Sequence, residues 1–152
     1  PLPRLNEAQA VILNGDGAWR PPPGVPVLRM HLVPARLRHL VSGETRPLDW
    51  LQGQIVDAVA GIGHPQRFFD TLTALGAQVR PHPLADHAAP SAALLASLGA
   101  CILVTAKDAV KCEPHADPRI WVLDVEAQLD GDLLALIRPA LPTCFVRAPG
   151  ES

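Results

Sequence analysis

An α/β fold with a parallel sheet and helices on both faces is what the sequence predicts, and three observations carry the prediction. From Pro47 onward, extended apolar runs alternate with helix-like segments four times. Runs such as Ile55 to Ala60 and Cys101 to Thr105 are apolar almost throughout rather than at every second position, the pattern of strands covered on both sides. Strands separated by helices pair in parallel through right-handed crossovers, which gives a Rossmann-like arrangement. At 152 residues, 48% hydrophobic and 18% charged, the chain has core enough for one domain, or one domain with an appended arm, and disorder of the whole chain is excluded.

The first part is irregular. Ala10 to Leu13 is a short apolar run of strand character, followed by the turn Asn14-Gly-Asp-Gly17 and by Pro21-Pro-Pro-Gly24, which forbids a helix. The Gly-x-Gly of this turn opens no helix and so lacks the context of a dinucleotide fingerprint. Val25 to Val33 is a second extended segment. Residues 1–46 thus form a β-stranded region, and residues 47–152 the α/β domain. In that domain the strand Ile55 to Ala60 leads to a helix over Pro65 to Leu75, with proline at its first position, and then to a strand over Ala77 to Pro81. A helix over Ser91 to Leu98, a strand over Cys101 to Thr105, a short helix from Lys107, a strand over Ile120 to Leu123 and a closing helix over Gly131 to Leu141 complete it.

Charge narrows the function classes. Lys and Arg number 13 against 15 Asp and Glu, a net of -2, and aromatic residues are 4%, so neither the charge nor the stacking surface of a nucleic-acid binder is present. Between Arg20 and Arg46, five arginines face the single acid Glu44, and the basic stretch Arg29 to His39 is either a surface for phosphates or anionic headgroups or a solvated strand face. Cys101, Cys112 and Cys144 form no C-x-x-C pair, which points to a reducing compartment rather than a disulfide framework. The chain starts at Pro1 without a signal segment and reads as a piece of something longer. Ala88 to Ala106 carries no charge for 19 residues, but Pro90 and Gly99 interrupt it, so a buried helix, turn and strand fit better than a membrane span.

In a parallel sheet, ligands sit beyond the carboxyl ends of the strands, which directs attention to three loops. The first, Gly61-Ile-Gly63-His64-Pro65-Gln-Arg67, combines a tight glycine turn with a helix N-terminus suited to an anion; Arg67 is either a phosphate ligand or a surface cation. The second places Asp86 beside His87 directly after a strand, either as a base with its orienting carboxylate or as a loop cap. The third, Thr105-Ala-Lys107-Asp108-Ala-Val-Lys111, obeys the S/T-x-x-D capping pattern, and its two lysines, four residues apart, are the only ones in a chain with eleven arginines. A zinc site from His82, His87, Cys112 and His115 lacks a second close ligand pair and draws on separate loops, so no metal ligand is assigned.

Taken in order, G-I-G-H-P-Q-R-F-F from Gly61, D-H at Asp86, and T-A-K-D-A-V-K-C from Thr105 resemble the C-terminal half of the tetraacyldisaccharide 4'-kinase family, the lipid A kinases of Gram-negative bacteria. The resemblance extends from Asn14-Gly15 through Leu40-Val-Ser-Gly-Glu44 to Trp121-Val-Leu-Asp-Val-Glu126. It implies a kinase that transfers the γ-phosphate of ATP to the 4'-hydroxyl of a tetraacyldisaccharide 1-phosphate at the cytoplasmic face of the inner membrane. Residues 1–46 would then be the end of the nucleotide-domain region with a β-stranded linker, and residues 47–152 the C-terminal domain. ATP and Mg²⁺ would be held mainly by an N-terminal P-loop domain, since no G-x-x-x-x-G-K-[ST] occurs in these 152 residues, and the chain alone would be inactive.

By the same resemblance, His87, with Asp86 beside it, works with an upstream aspartate on the 4'-hydroxyl. Gly61, Gly63, Arg67, Lys107, Asp108 and Lys111 are candidates for substrate or phosphate contacts. The expected partners are the lipid substrate, the P-loop domain and the membrane surface, with no nucleic acid. The sequence departs from the family pattern at His64, where Asn is common, at Ala106, where Glu is common, and at Ala88-Ala-Pro90, which replaces a His-Pro-aromatic run. The alternative is a non-catalytic α/β module that binds a nucleotide or phospho-sugar at Gly61 to Pro65, with His87 an ordinary loop residue.

Overall fold

A computed structural model describes residues 8–15, 19 and 23–140 of the chain. Cys144, Leu141 and parts of the two early turns, Asp16-Gly17 and Pro21-Pro22, lie outside the described residues. The chain divides into two compact units, one of Pro34–Glu126 and one of Pro1–Val33 with Ala127–Ser152.

In the second of these units, β1 (Val11–Asn14) pairs in parallel with the start of β2 (Val27–His39), Val11 opposite Val27 and Asn14 opposite Met30. Asp130 closes the unit on Arg29: its carboxylate accepts the Arg29 N–H at 2.7 Å, and its own N–H donates to the Arg29 carbonyl at 3.0 Å. The closing helix is shorter than the sequence predicts. It covers Leu133–Ile137, capped by Asp132, and passes into a 3-10 turn at Arg138–Ala140.

Pro34–Glu126 carries the α/β architecture. Its strands are ordered β2-β7-β6-β4-β5, with β4 at Ile55–Ala60, β5 at Gln78–Pro83, β6 at Ile102–Thr105 and β7 at Ile120–Leu129. The pairs β4–β5, β4–β6 and β6–β7 are all parallel, as continuous apolar runs separated by helices require. The sheet is nonetheless mixed, because β3 (Thr45–Arg46) folds back antiparallel on the end of β2.

Alternation along the strands sorts the core into two clusters. Val56, Ala58, Ala60, Leu103, Trp121 and Leu123 point into one, where Phe68, Phe69 and Leu72 of α1 (Pro65–Ala74) cover them. Val59, Ile102, Val104, Ile120 and Val122 point into the other, against Leu95 of α2 (Ala92–Ser97) and Ala109 and Cys112 of α3 (Ala106–Cys112). The period of two in a strand thus explains why nearly every residue is apolar: each side has its own helix to meet. Helix starts follow their caps. Pro65 begins α1, Ser91 accepts the Leu94 N–H at 3.1 Å, and Thr105 accepts the Asp108 N–H at 3.1 Å.

Two strands outrun the sequence reading. β2 continues to His39 through Pro34, which lies where its pairing with β1 has stopped at Met30 and that with β3 has not begun, so the missing N–H breaks none of these ladder bonds. β7 continues past Leu123 to Leu129 as a half in which polar and apolar residues alternate, exposed from Val125 to Gln128. The uncharged stretch from Ala88 folds as loop, α2 and β6, and among the described residues no helix is long and apolar enough to cross a membrane.

Candidate functional site

Three segments leave the carboxyl ends of neighbouring strands and meet. Gly61 follows β4, Leu84 follows β5, and α3 begins directly after β6. The Asp108 carboxylate, 2% exposed, ties them together. One oxygen accepts the Gly61 N–H at 3.0 Å and the Thr105 hydroxyl at 2.8 Å; the other accepts Lys111 Nζ at 2.6 Å. Lys111 donates further to the carbonyls of Gly61 and Ala88, each at 3.3 Å. Thr105 caps α3 as the sequence foresees, but the Asp108 carboxylate, rather than completing a capping box on the Thr105 N–H, takes the Thr105 hydroxyl within a wider network.

Gly61 is required by this packing. A Cβ there would stand 2.7 Å from the Ala88 carbonyl oxygen and 3.3 Å from Asp108, so a side chain would push the two loops apart. Gly63 has open space around it. His64 precedes α1 without capping it by its side chain. Arg67 is exposed, its carbonyl accepting the Thr71 hydroxyl at 2.7 Å, and Lys107 is exposed on α3.

The Asp86-His87 loop has a fixed backbone and a free ring. The His87 N–H donates to the Gly61 carbonyl at 3.0 Å, and the Ala88 N–H to the Ala85 carbonyl at 2.9 Å. His87 adopts a φ of +64°, in the left-handed region that non-glycine residues seldom occupy. Its side chain is 71% exposed and its Nε2 lies 3.5 Å from Asp86 Oδ2. The His87 ring is thus held at its backbone and open to solvent at the carboxyl end of a parallel sheet, the end at which such folds bind ligands.

The sequence reading missed a second buried carboxylate. Asp57, mid-way along β4, accepts His82 Nε2 at 2.8 Å and the Gly99 N–H at 2.8 Å. Burial raises its carboxyl, but the His82 hydrogen bond, the Gly99 N–H and the charges of His82 and Arg80 outweigh that and hold it below the usual carboxylate range. The same end of the unit holds Arg119, which donates to the carbonyls of Leu95 and Leu98 and pairs with Asp117 at 2.6 Å. A charged residue inside an apolar strand was the local clue to Asp57, and nothing along the chain marks His82, 25 residues away, as its partner.

Other candidates are engaged elsewhere. Burial, reinforced by nearby carboxylates, pushes the Cys101 and Cys112 thiols up to about 11, so neither is a ready nucleophile. Among the described residues, no three His, Cys, Asp or Glu side chains gather as a metal site. In the basic stretch, Arg38 makes a two-pronged contact with Asp124, both arms at 3.1 Å, Arg36 lies 3.5 Å from the same carboxylate, and the His39 ring sits on Ser42 and the Pro118 carbonyl.

Fold and site define the class: an α/β protein whose parallel strands deliver a solvent-facing imidazole on a clasped loop. The family model of tetraacyldisaccharide-1-P 4'-kinase matches residues 1–142, and the chain belongs to that family. It is 49% identical over 129 residues to the tetraacyldisaccharide 4'-kinase of Pseudomonas putida strain W619 and 46% identical over 129 residues to that of Azotobacter vinelandii strain DJ, in each case across 84% of this chain. The chain spans 37% and 38% of the length of those two relatives. The LpxK of Aquifex aeolicus, crystallised in complex with ATP, shares the fold with a TM-score of 0.66 at 24% identity, over 91% of this chain and 44% of that one.

Proposed function

We propose that this chain is the C-terminal part of an ATP-dependent kinase that phosphorylates the 4'-hydroxyl of the tetraacyldisaccharide 1-phosphate precursor of lipid A. The observation that carries the reading is His87: its backbone is pinned to Gly61 while its ring stays free, in the loop that follows β5. The identity to tetraacyldisaccharide 4'-kinases supports the reaction and the substrate class.

In this reading His87 hydrogen-bonds a carboxylate supplied by the P-loop domain of the complete protein, and the two together take the proton of the 4'-hydroxyl as it attacks the γ-phosphate. Asp86 orients the ring. Arg67 and Lys107, exposed near the same strand ends, are the cations offered to anionic groups of the lipid. ATP supplies the phosphoryl group and Mg²⁺ neutralises its charge, but the residues here do not fit either one. The sequence has no P-loop motif, and both oxygens of buried Asp108 are already engaged. Nucleotide and metal therefore bind in the P-loop domain, and the chain alone is inactive. The reaction takes place at the cytoplasmic face of the inner membrane, which the protein meets peripherally.

The test is ATP-dependent 4'-phosphorylation of the disaccharide lipid by the complete protein, wild type and His87→Ala, with ATP affinity measured alongside. A large fall in kcat with ATP affinity intact is expected. Equal kcat in the two proteins would remove His87 from the chemistry, and an inert wild type would remove the kinase reading.

A further inference from the structure

We propose that Asp108 and Lys111 are positioning residues for His87: they clasp the loop that carries it and set its backbone, rather than binding phosphate themselves. The inference rests on the assignment of His87 to the chemistry, and it names what holds that side chain in place.

An ammonium group has three N–H donors, and Lys111 spends all three, on Asp108 at 2.6 Å and on the carbonyls of Gly61 and Ala88 at 3.3 Å. Asp108 is equally committed, to Gly61, Thr105 and Lys111. Lys111 thus has no N–H left for a phosphate oxygen, and Asp108, buried with three of its roughly four lone-pair sites taken, keeps one at most. What they grip is the backbone on both sides of His87. The His87 N–H ends on the Gly61 carbonyl, which Lys111 also holds, and the carbonyl of the following residue, Ala88, accepts from Lys111.

The loop needs holding. Asp86 and His87 are exposed, and the left-handed φ of His87 persists only where surrounding contacts impose it. Gly61 is the meeting point. Its N–H goes to Asp108, its carbonyl receives His87 and Lys111, and its missing side chain lets Ala88 approach. Release of Lys111 would free one side of the His87 backbone and weaken the acceptor on the other, allowing the ring to leave its productive place.

The experiment is a double-mutant cycle in the complete protein: kcat and KM for the lipid and for ATP in wild type, His87→Ala, Lys111→Met and the double variant, with amide hydrogen exchange at residue 87 in wild type and Lys111→Met. Lys111→Arg keeps a charge opposite Asp108 and serves if Lys111→Met fails to fold. Lys111→Met is expected to lower kcat on the order of 10²-fold, as misplacement of a reacting group does, with KM for ATP unchanged. In the His87→Ala background it should cost nothing further. The residue 87 amide should exchange about 10-fold faster, while the amides of Val59 and Val104 keep their rates. Losses that multiply in the double variant, or a rise in lipid KM alone, would overturn the proposal, as would an unchanged exchange rate at residue 87. If His87→Ala itself keeps full kcat, the assignment of His87 falls and takes the catalytic half of the proposal with it, whereas the exchange rates still decide whether the pair holds the loop.

Discussion

Two buried aspartates, Asp57 on β4 beside the start of β6 and Asp108 on α3 just past its end, use nearly the same chemistry. Asp108 takes a glycine N–H, from Gly61, and a basic side chain, Lys111; Asp57 takes a glycine N–H, from Gly99, and a basic side chain, His82. The contacts of Asp108 run outward, to a loop that presents an exposed imidazole. Those of Asp57 run to the His82 ring on β5 and to the Gly99 N–H ahead of β6, neither of which carries the exposed imidazole. A buried ion or hydrogen-bonded pair is by itself weak evidence of function. What separates the two is the segment each holds: the contacts of Asp108 should show in kinetics and those of Asp57 in stability.

The contrast breaks first at His87, where replacement by alanine should lower kcat roughly 10²- to 10⁴-fold, the range of a general acid–base contribution, in the phosphorylation assay. The Lys111 variants come next, through the same ring. Asp57→Ala, by contrast, leaves His82 and the Gly99 N–H without their partner and should cost about 3 kcal/mol in a denaturant titration. Gly61→Ala sharpens the comparison within one loop. Its Cβ would meet backbone at 2.7 Å, so it should cost about 1–3 kcal/mol, whereas Gly63→Ala, with nothing within 4 Å, should fall within about 0.5 kcal/mol of wild type.

The smallest effect is a slope with pH. The folded Asp57 carboxyl is held below its ordinary value of 3.8, so its contribution to stability is complete above that value and is lost as the pH falls through the lower folded one. Asp117, lowered by its hydrogen bond to Arg119, acts in the same direction. Denaturation midpoints should therefore be steady from neutral pH to about pH 5 and decline below about pH 4, with a shallower decline in Asp57→Asn. An equally steep decline in that variant would assign the acid sensitivity to other carboxylates.

Much of the α/β architecture is legible because its signals are local. Apolar runs mark β4 and β6, Pro65 starts α1, and Ser91 and Thr105 each sit one residue before the helix they cap. Where neighbours decide, the sequence is silent or misleading. Pro34 argues against a strand until the gap in pairing beside it is seen, whereas the second half of β7, where Asp124, Glu126 and Gln128 alternate with Val125, Ala127 and Leu129, carried a strand pattern that the reading passed over. The site divides in the same way. Asp86 and His87 are found by their place after a strand. The four-residue spacing of Lys107 and Lys111 suggests a shared role, yet one is exposed and the other spends its donors on backbone from two other loops. Such contacts join residues 23 and 50 positions apart, and no window along the chain contains both partners.

The most direct test of this division of labour is kcat per folded molecule for Lys111→Arg and Asp57→Asn in the complete protein, at a temperature where both are fully folded. Asp57→Asn should stay within about 2-fold of wild type, although less stable, while Lys111→Arg should lose about 10-fold or more. Equal losses in the two variants, or a loss confined to Asp57→Asn, would contradict it.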